Sequence, residues 1–303
     1  MVPDRFRDDV MALPKVAGAI ALPLRSRRAM DGAMISETAY AKINLALHVR
    51  RRREDGYHEL ETLFAFVDAG DQLTATPAEA DRLTTHGEFA AKIDDPFGNI
   101  VAKALTALPR GKGWAVDLEK RLPVAAGLGG GSADAGAVFR MVERAHGLPD
   151  DWHDRAARLG ADVPACVLSR PCIGTGTGTD LAEVAQNDLE GCPVLLVNPR
   201  LAVPTGPVFK AWDQRDRGPM PTGTLRDIAL AGRNDLEAPA IAICPVIADV
   251  LAALRATAPF LARMSGSGAT CFALYESQEA LSLAAASIAA KYPAWWQLSG
   301  KLR

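Results

Sequence analysis

The chain has 303 residues, 49% hydrophobic and 23% charged, with a formal net charge of −2 at pH 7. That length allows two ordinary domains or one large one, and the near-neutral balance leaves no electrostatic footprint for nucleic acid or a membrane surface. No apolar run reaches the roughly 18–20 residues that a membrane-spanning helix needs.

The cysteines Cys166, Cys172, Cys192, Cys244 and Cys271 are odd in number and show no CxxC spacing. Neither a zinc site nor a disulfide framework is indicated, and reduced thiols of a cytoplasmic enzyme are the economical reading. Residues 1–35 stand apart. An apolar stretch at 16–24 is interrupted by Pro23 and followed by Arg25, Arg27 and Arg28. A signal peptide carries its basic residues before the apolar region instead. The segment is expected to be a disordered extension, or to reflect a start placed ahead of the true one at Met30 or Met34.

In TAYAKINLALHV, the apolar Ala41, Ile43, Leu45, Leu47 and Val49 alternate with Lys42, Asn44 and His48. This predicts a strand with those three on the opposite face. Asp55-Gly56 separates it from a second strand-like run at 60–67, a hairpin signal. A turn at 94–99 leads into a helix over 100–108, and 114–118 reads as a strand. It enters LPVAAGLGGGSADAGAVFRMVERAHGLP, where Ala135, Val138, Phe139, Val142 and Ala145 recur at helical spacing up to the stop signals Gly147 and Pro149. A short helix over 152–159 ends at Gly160. A Gly/Thr run at 174–179 and a polar link precede a strand at 194–197 and mark a candidate domain boundary. A helix over 245–256, a glycine loop in RMSGSGATCFALY that enters a strand, and a helix over 278–291 follow. This uneven alternation indicates α+β rather than a doubly wound sheet.

The strongest chemical signal is Gly127-Leu128-Gly129-Gly130-Gly131-Ser132, between a strand and a helix expected to start near Ser132. Glycines admit a ligand close to the backbone, and successive N–H groups together with a helix N-terminus suit phosphate oxygens. A turn that only joins strand to helix does not require so many glycines. Neither GxxxxGK[ST] nor GxGxxG is present. Ser132 could serve a magnesium ion or cap the helix. Asp134, in the first helical turn, is expected to point away from the phosphates or make a local hydrogen bond. Phosphoryl transfer also needs a proton acceptor and a cation. Asp162 is a candidate base, although on these residues alone a helix N-cap just before Pro164 is the preferred reading. Lys42 is a candidate cation, and otherwise a solvated strand lysine.

Five stretches in one order, AKINL (41–45), DGYHEL (55–60), PVAAGLGGGSAD (123–134), GADVP (160–164) and MSGSGAT (264–270), resemble the GHMP kinases. The likeness runs from about residue 37 onward. DGYHEL and GADVP narrow it to the branch that serves the non-mevalonate isoprenoid route, because the mevalonate, homoserine and galactose enzymes lack the DGYH hairpin. The resemblance implies a GHMP α+β fold: an N-terminal ATP-binding domain over 36–185 and a C-terminal ferredoxin-like domain over 186–303. It implies ATP with Mg2+ as phosphoryl donor and the 2-hydroxyl of a cytidine diphosphate-linked methylerythritol as acceptor. No nucleic-acid or membrane partner is expected, and the assembly is expected to be a monomer or weak homodimer.

Carried over residue by residue, Lys42 and Asp162 form the catalytic pair. Asn99 and Lys120 resemble adenine-pocket residues. Pro123, Val124, Ala125, Ala126, Gly127, Leu128, Gly129, Gly130, Gly131 and Ser132 form the ATP loop. Asn44 lies near the polyol hydroxyls, Tyr57 and His58 meet the cytosine, and Phe209 stacks opposite. Ser267 and Gly268 belong to the loop at 265–270, which closes the site or serves simply as a tight turn. Many relatives read Gly-x-Gly-Glu where this chain has Gly176-Thr177-Gly178-Thr179, and no site residue is assigned there. Two other readings are a GHMP kinase for an alcohol without a base, which would not require Tyr57 and Phe209, and a non-catalytic nucleotide binder, which would not require Lys42 and Asp162.

Overall fold

A computed structural model describes residues 34–92, 99–184 and 186–303. The expectations for residues 1–33 and for nearly all of the turn at 94–99 lie outside the described residues. In chain order come strands β1 (Ile35–Arg52), β2 (His58–Ala78) and β3 (Arg82–His86), helix α1 (Ile100–Ala107), strand β4 (Gly113–Glu119), and helices α2 (Gly130–His146), α3 (Trp152–Leu159) and α4 (Val163–Leu168). Next are strands β5 (Cys172–Thr175), β6 (Asp180–Glu183) and β7 (Pro193–Asn198), and helices α5 (Thr205–Lys210), α6 (Leu225–Ala231), α7 (Glu237–Ile243) and α8 (Val246–Arg255). Strands β8 (Leu261–Met264) and β9 (Cys271–Leu274), helix α9 (Gln278–Lys291) and strand β10 (Trp296–Lys301) complete it.

Strand β2 is the spine of the first sheet. It pairs with β1 along one edge and with β4 and β5 on the other, while β3 lies parallel to β4 and β6 antiparallel to β5. It extends well beyond the expected run at 60–67 because residues 70–78 pair with β1 and β4, and its buried Asp71 is fully engaged. One oxygen accepts from Arg121 N at 2.6 Å and Leu122 N at 2.8 Å, and the other from Lys120. Buried polar groups persist only when bonded in this way.

Register shifts interrupt β1 between Tyr40 and Lys42, Asn44 and Ala46, and Val49 and Arg51. Lys42 and Asn44 share a face, as alternation predicts. The second shift then turns Leu47, not His48, toward the cleft described below. A bulge inserts one residue and reverses the faces downstream. His48 is therefore buried elsewhere, its Nε2 accepting from Arg233 N at 3.2 Å.

The second sheet runs β10-β7-β9-β8, all antiparallel. Along β7, Val194 and Leu196 face a core shared with Leu63, Ala65 and Val67 of β2, and Leu195 and Val197 face one shared with α8 and α9. Burial on both faces explains the unbroken apolar run VLLV. Helices α1 to α4 cover the first sheet. The fold is α+β, as expected. No helix among the described residues is long and apolar enough to cross a membrane.

Candidate active site

A cleft of about 770 Å³ opens where the two sheets meet. Its walls come from β1, the β1–β2 hairpin tip, the glycine loop, Asp162, α5 and the turn at Gly266-Ser267.

The glycine loop is built to offer donors. Helix α2 begins at Gly130, two residues earlier than expected, with Gly129 as N-cap at φ 60° and ψ 26°. A side chain there would meet both an unfavourable left-handed backbone and Lys42, whose Cε lies 2.9 Å from an ideal Cβ. The first-turn N–H groups of a helix have no intrahelical acceptor, and Gly130, Gly131 and Ser132 all line the cleft. Meanwhile the carbonyls of Ala126, Gly127 and Leu128 accept from Thr270 N (3.1 Å), Ser265 Oγ (2.8 Å) and Lys42 N (3.1 Å). The loop is thus tied to β1 and to the second sheet, with these three acceptors already engaged.

Asp162 occupies the N-cap position of α4, yet its side chain makes no cap bond. Its Oδ2 lies 3.0 Å from Lys42 Nζ instead. Close packing of α4 on α2 places it there: a Cβ on Gly136 would come within 2.6 Å of the Cys166 carbonyl. Lys42 Nζ also donates to Asn44 Oδ1 at 2.9 Å; Asn44 Nδ2 donates to Thr62 Oγ1 at 2.7 Å, and Thr62 donates to the Ala46 carbonyl. An ammonium has three donors, and these two bonds leave one for a ligand. Lys42 is buried while the Asp162 side chain is 34% exposed, so the pair is open on its acidic side.

Several expected residues lie away from the cleft surface. Lys120 sits beneath the loop, held by Asp71 and by Asp134 at 2.7 Å. Burial alone would lower its pKa, but the two carboxylates outweigh burial and hold it above the ordinary lysine value. Burial pushes Asp134 well above the carboxylate range, against the pull of Lys120. Asp134 thus makes the local hydrogen bond expected of it. Asn99 caps α1, its Oδ1 accepting from Val101 N at 2.9 Å. Pro123, Val124, Leu128 and Gly268 are not among the cleft residues, whereas Ala125, Ala126, Gly127, Gly129 and Ser267 are.

At the far end of the cleft, Tyr57 projects from the hairpin tip, 65% exposed. The His58 ring lies 5.0 Å from Phe209 and 5.8 Å from Trp212, edge-on to the latter at 86°. Burial, then the charge of Arg52, hold the His58 pKa below its ordinary value. The segment after α5 is fastened back to the hairpin: Arg50 Nε meets Asp216 at 3.0 Å and Glu61 Oε2 accepts from Met220 N at 2.5 Å.

Sequence reasoning missed Trp212, Thr62, Thr205, Thr177 and Gly178, all of which line the cleft. Trp212 follows Phe209 by three residues, a helical spacing that could have flagged it. Thr62 follows from strand alternation, and Thr177 was passed over because its run lacks a carboxylate. Asn234 has no local signal at all. It holds the loop before Ser267 by donating to the Met264 and Gly266 carbonyls, both at 2.8 Å.

Two family models match the chain: GHMP kinases N terminal domain over residues 99–170 and GHMP kinases C terminal over 223–294. A 4-diphosphocytidyl-2-C-methyl-D-erythritol kinase of Novosphingobium aromaticivorans is 67% identical over 292 residues, spanning 96% of this chain and 100% of that protein. One from Sphingopyxis alaskensis is 53% identical over 282 residues, spanning 89% and 99%. A crystal structure of 4-(cytidine 5'-diphospho)-2C-methyl-D-erythritol kinase superposes with a TM-score of 0.75 at 34% identity, over 88% of this chain and 99% of that one. Homoserine kinase from Cytophaga hutchinsonii, 17% identical with a TM-score of 0.64 over 93% and 98%, shares the fold. The chain belongs to the 4-diphosphocytidyl-2-C-methyl-D-erythritol kinase family of the GHMP kinases.

Proposed function

We propose that this protein transfers the γ-phosphate of ATP to the 2-hydroxyl of 4-diphosphocytidyl-2-C-methyl-D-erythritol, giving the 2-phosphate and ADP, in the methylerythritol phosphate route to isopentenyl diphosphate. The observation that carries this reading is the Lys42–Asp162 pair, 3.0 Å apart, between a donor-rich helix N-terminus and an aromatic pocket. Asp162 accepts the hydroxyl proton as that oxygen attacks the γ-phosphorus, and the bond from the γ-phosphorus to the bridging oxygen of ADP breaks. The buried Lys42 ammonium holds the acceptor oxygen and stabilises charge as it develops. Its network through Asn44 and Thr62 fixes it in place.

The Ser132 hydroxyl lines the cleft at the start of α2. One such protein oxygen suits a magnesium ion that keeps phosphate and water ligands, and such an ion would neutralise phosphate charge. The loop binds the phosphates, and His58, Phe209 and Tyr57 take the cytosine. An acceptor without a base would leave that aromatic end of the cleft idle. In this reading residues 36–185 bear ATP, residues 186–303 close over the acceptor, and the enzyme works in the cytoplasm as a monomer or weak dimer.

The test is ADP release by purified protein with Mg-ATP and a panel of alcohols. Turnover is expected with the cytidine substrate. ADP formed only with mevalonate, homoserine or galactose would contradict the substrate, and none with any acceptor would contradict the kinase.

A further inference from the structure

The base end of the cleft contains a residue whose place is not explained by packing alone. Trp212 is 4% exposed and belongs to the core between the second sheet and its helices, yet it also lines the cleft. Its ring stands perpendicular to His58, and Phe209 packs against the same imidazole at a tilt of 36°. The two partners reach His58 from the other half of the molecule: His58 opens β2, whereas Phe209 and Trp212 lie in and just after α5. Among the described residues no hydrogen bond holds the His58 ring nitrogens. Packing by Phe209 and Trp212 is what sets its plane.

This matters because of what a neutral imidazole presents. Burial and Arg52 keep His58 uncharged near neutral pH, so one nitrogen donates and the other accepts. Cytosine carries an amino donor where uracil carries a carbonyl acceptor. A tilted imidazole would present neither nitrogen squarely to that edge, so its plane has to be held. Packing of a large aromatic at right angles restrains that plane.

We infer that Trp212 is a positioning residue for substrate choice: packed perpendicular to His58, it holds the imidazole plane in which a ring nitrogen meets the edge of cytosine. The inference rests on the reading of His58 as the base contact.

The test is kcat/KM for the cytidine substrate and for its uridine analogue in the full chain. Trp212→Met keeps an apolar side chain in the core but removes the ring. It should narrow the cytidine-over-uridine ratio by roughly tenfold, the worth of one misplaced hydrogen-bonding group. The change should appear in KM for the cytidine substrate, with KM for ATP within about twofold. Trp212→Phe restores an aromatic edge without the indole N–H and should return the ratio to the parent value. An unchanged ratio in Trp212→Met, or equal loss in Trp212→Phe, overturns the proposal. If His58→Ala keeps full discrimination, the base-pocket reading itself fails, and the role of Trp212 with it.

Discussion

Two buried lysines flank the glycine loop, and they differ in one respect. Lys42 and Lys120 are each 3% exposed, and each has a carboxylate oxygen within 3.0 Å. The partner of Lys42 is one-third exposed on the cleft wall, whereas the partners of Lys120, Asp71 and Asp134, are sealed in the core. A substrate hydroxyl can approach the open pair from the cleft, whereas Lys120 is closed off by its partners. In the proposed reaction the same residue types therefore serve chemistry in one place and folding in the other.

The closed cluster still matters to the open one. Lys120 with two ionised carboxylates would be net negative just beneath the N-terminus of α2. Burial drives Asp134 toward its neutral form and brings the cluster closer to neutrality. The positive end of the helix dipole then remains available to phosphate.

The largest expected effect belongs to the open pair. Asp162→Asn should lower kcat by roughly 10²–10⁴-fold, the range for losing a general base. KM for ATP should change little, and some stability should be lost because the buried Lys42 ammonium loses its carboxylate partner. Near-normal turnover would remove the acidic partner from the reaction and leave the two lysines alike.

A smaller effect separates the two ends of the cleft. Tyr57→Ala and Phe209→Ala should each raise KM for the cytidine substrate by roughly the 1–3 kcal/mol of a base–aromatic stack. KM for ATP should hold. A matching rise in KM for ATP would mean that the aromatic end is not a separate base site.

The smallest effect is on pH. The His58 pKa lies below 6.5, so its neutral form persists down to about that pH and is lost only as pH falls through the lowered value. KM for the cytidine substrate should stay flat from pH 8 to about 6.5 and rise below it. In His58→Ala that rise should disappear. A rise beginning well above pH 6.5 would contradict a depressed His58.

The open region was far more legible in the sequence than the closed one. The glycine loop is contiguous, Lys42 and Asn44 follow from strand alternation, and Asp162 sits in a short motif carried by a family likeness. The same likeness gives Lys120 an adenine-pocket role, and nothing in the sequence points to its carboxylate partner Asp71, which lies 49 residues away and meets it only after β2 and β4 pair. His48 was placed on the wrong face because a bulge between Asn44 and Ala46 leaves no mark in an alternating pattern. The β5–β6 hairpin was read as a linker because two four-residue strands around Gly176 and Gly178 present no apolar period. Trp212 reads as an ordinary core aromatic until His58, from the other half of the molecule, is brought against it.

The claim that one lysine serves transfer and the other serves folding is tested most directly by Lys42→Met and Lys120→Met in parallel. Single-turnover phosphoryl transfer per folded molecule and urea unfolding are measured on the same preparations. Removing Lys120 strands two buried carboxylates and should cost about 3–5 kcal/mol of stability, while the molecules that remain folded still transfer phosphate once ATP is saturating. Removing Lys42 should leave the unfolding curve nearly unchanged, since Asp162 can be solvated, and abolish most transfer. Transfer retained in Lys42→Met, or lost in folded Lys120→Met, would contradict the account.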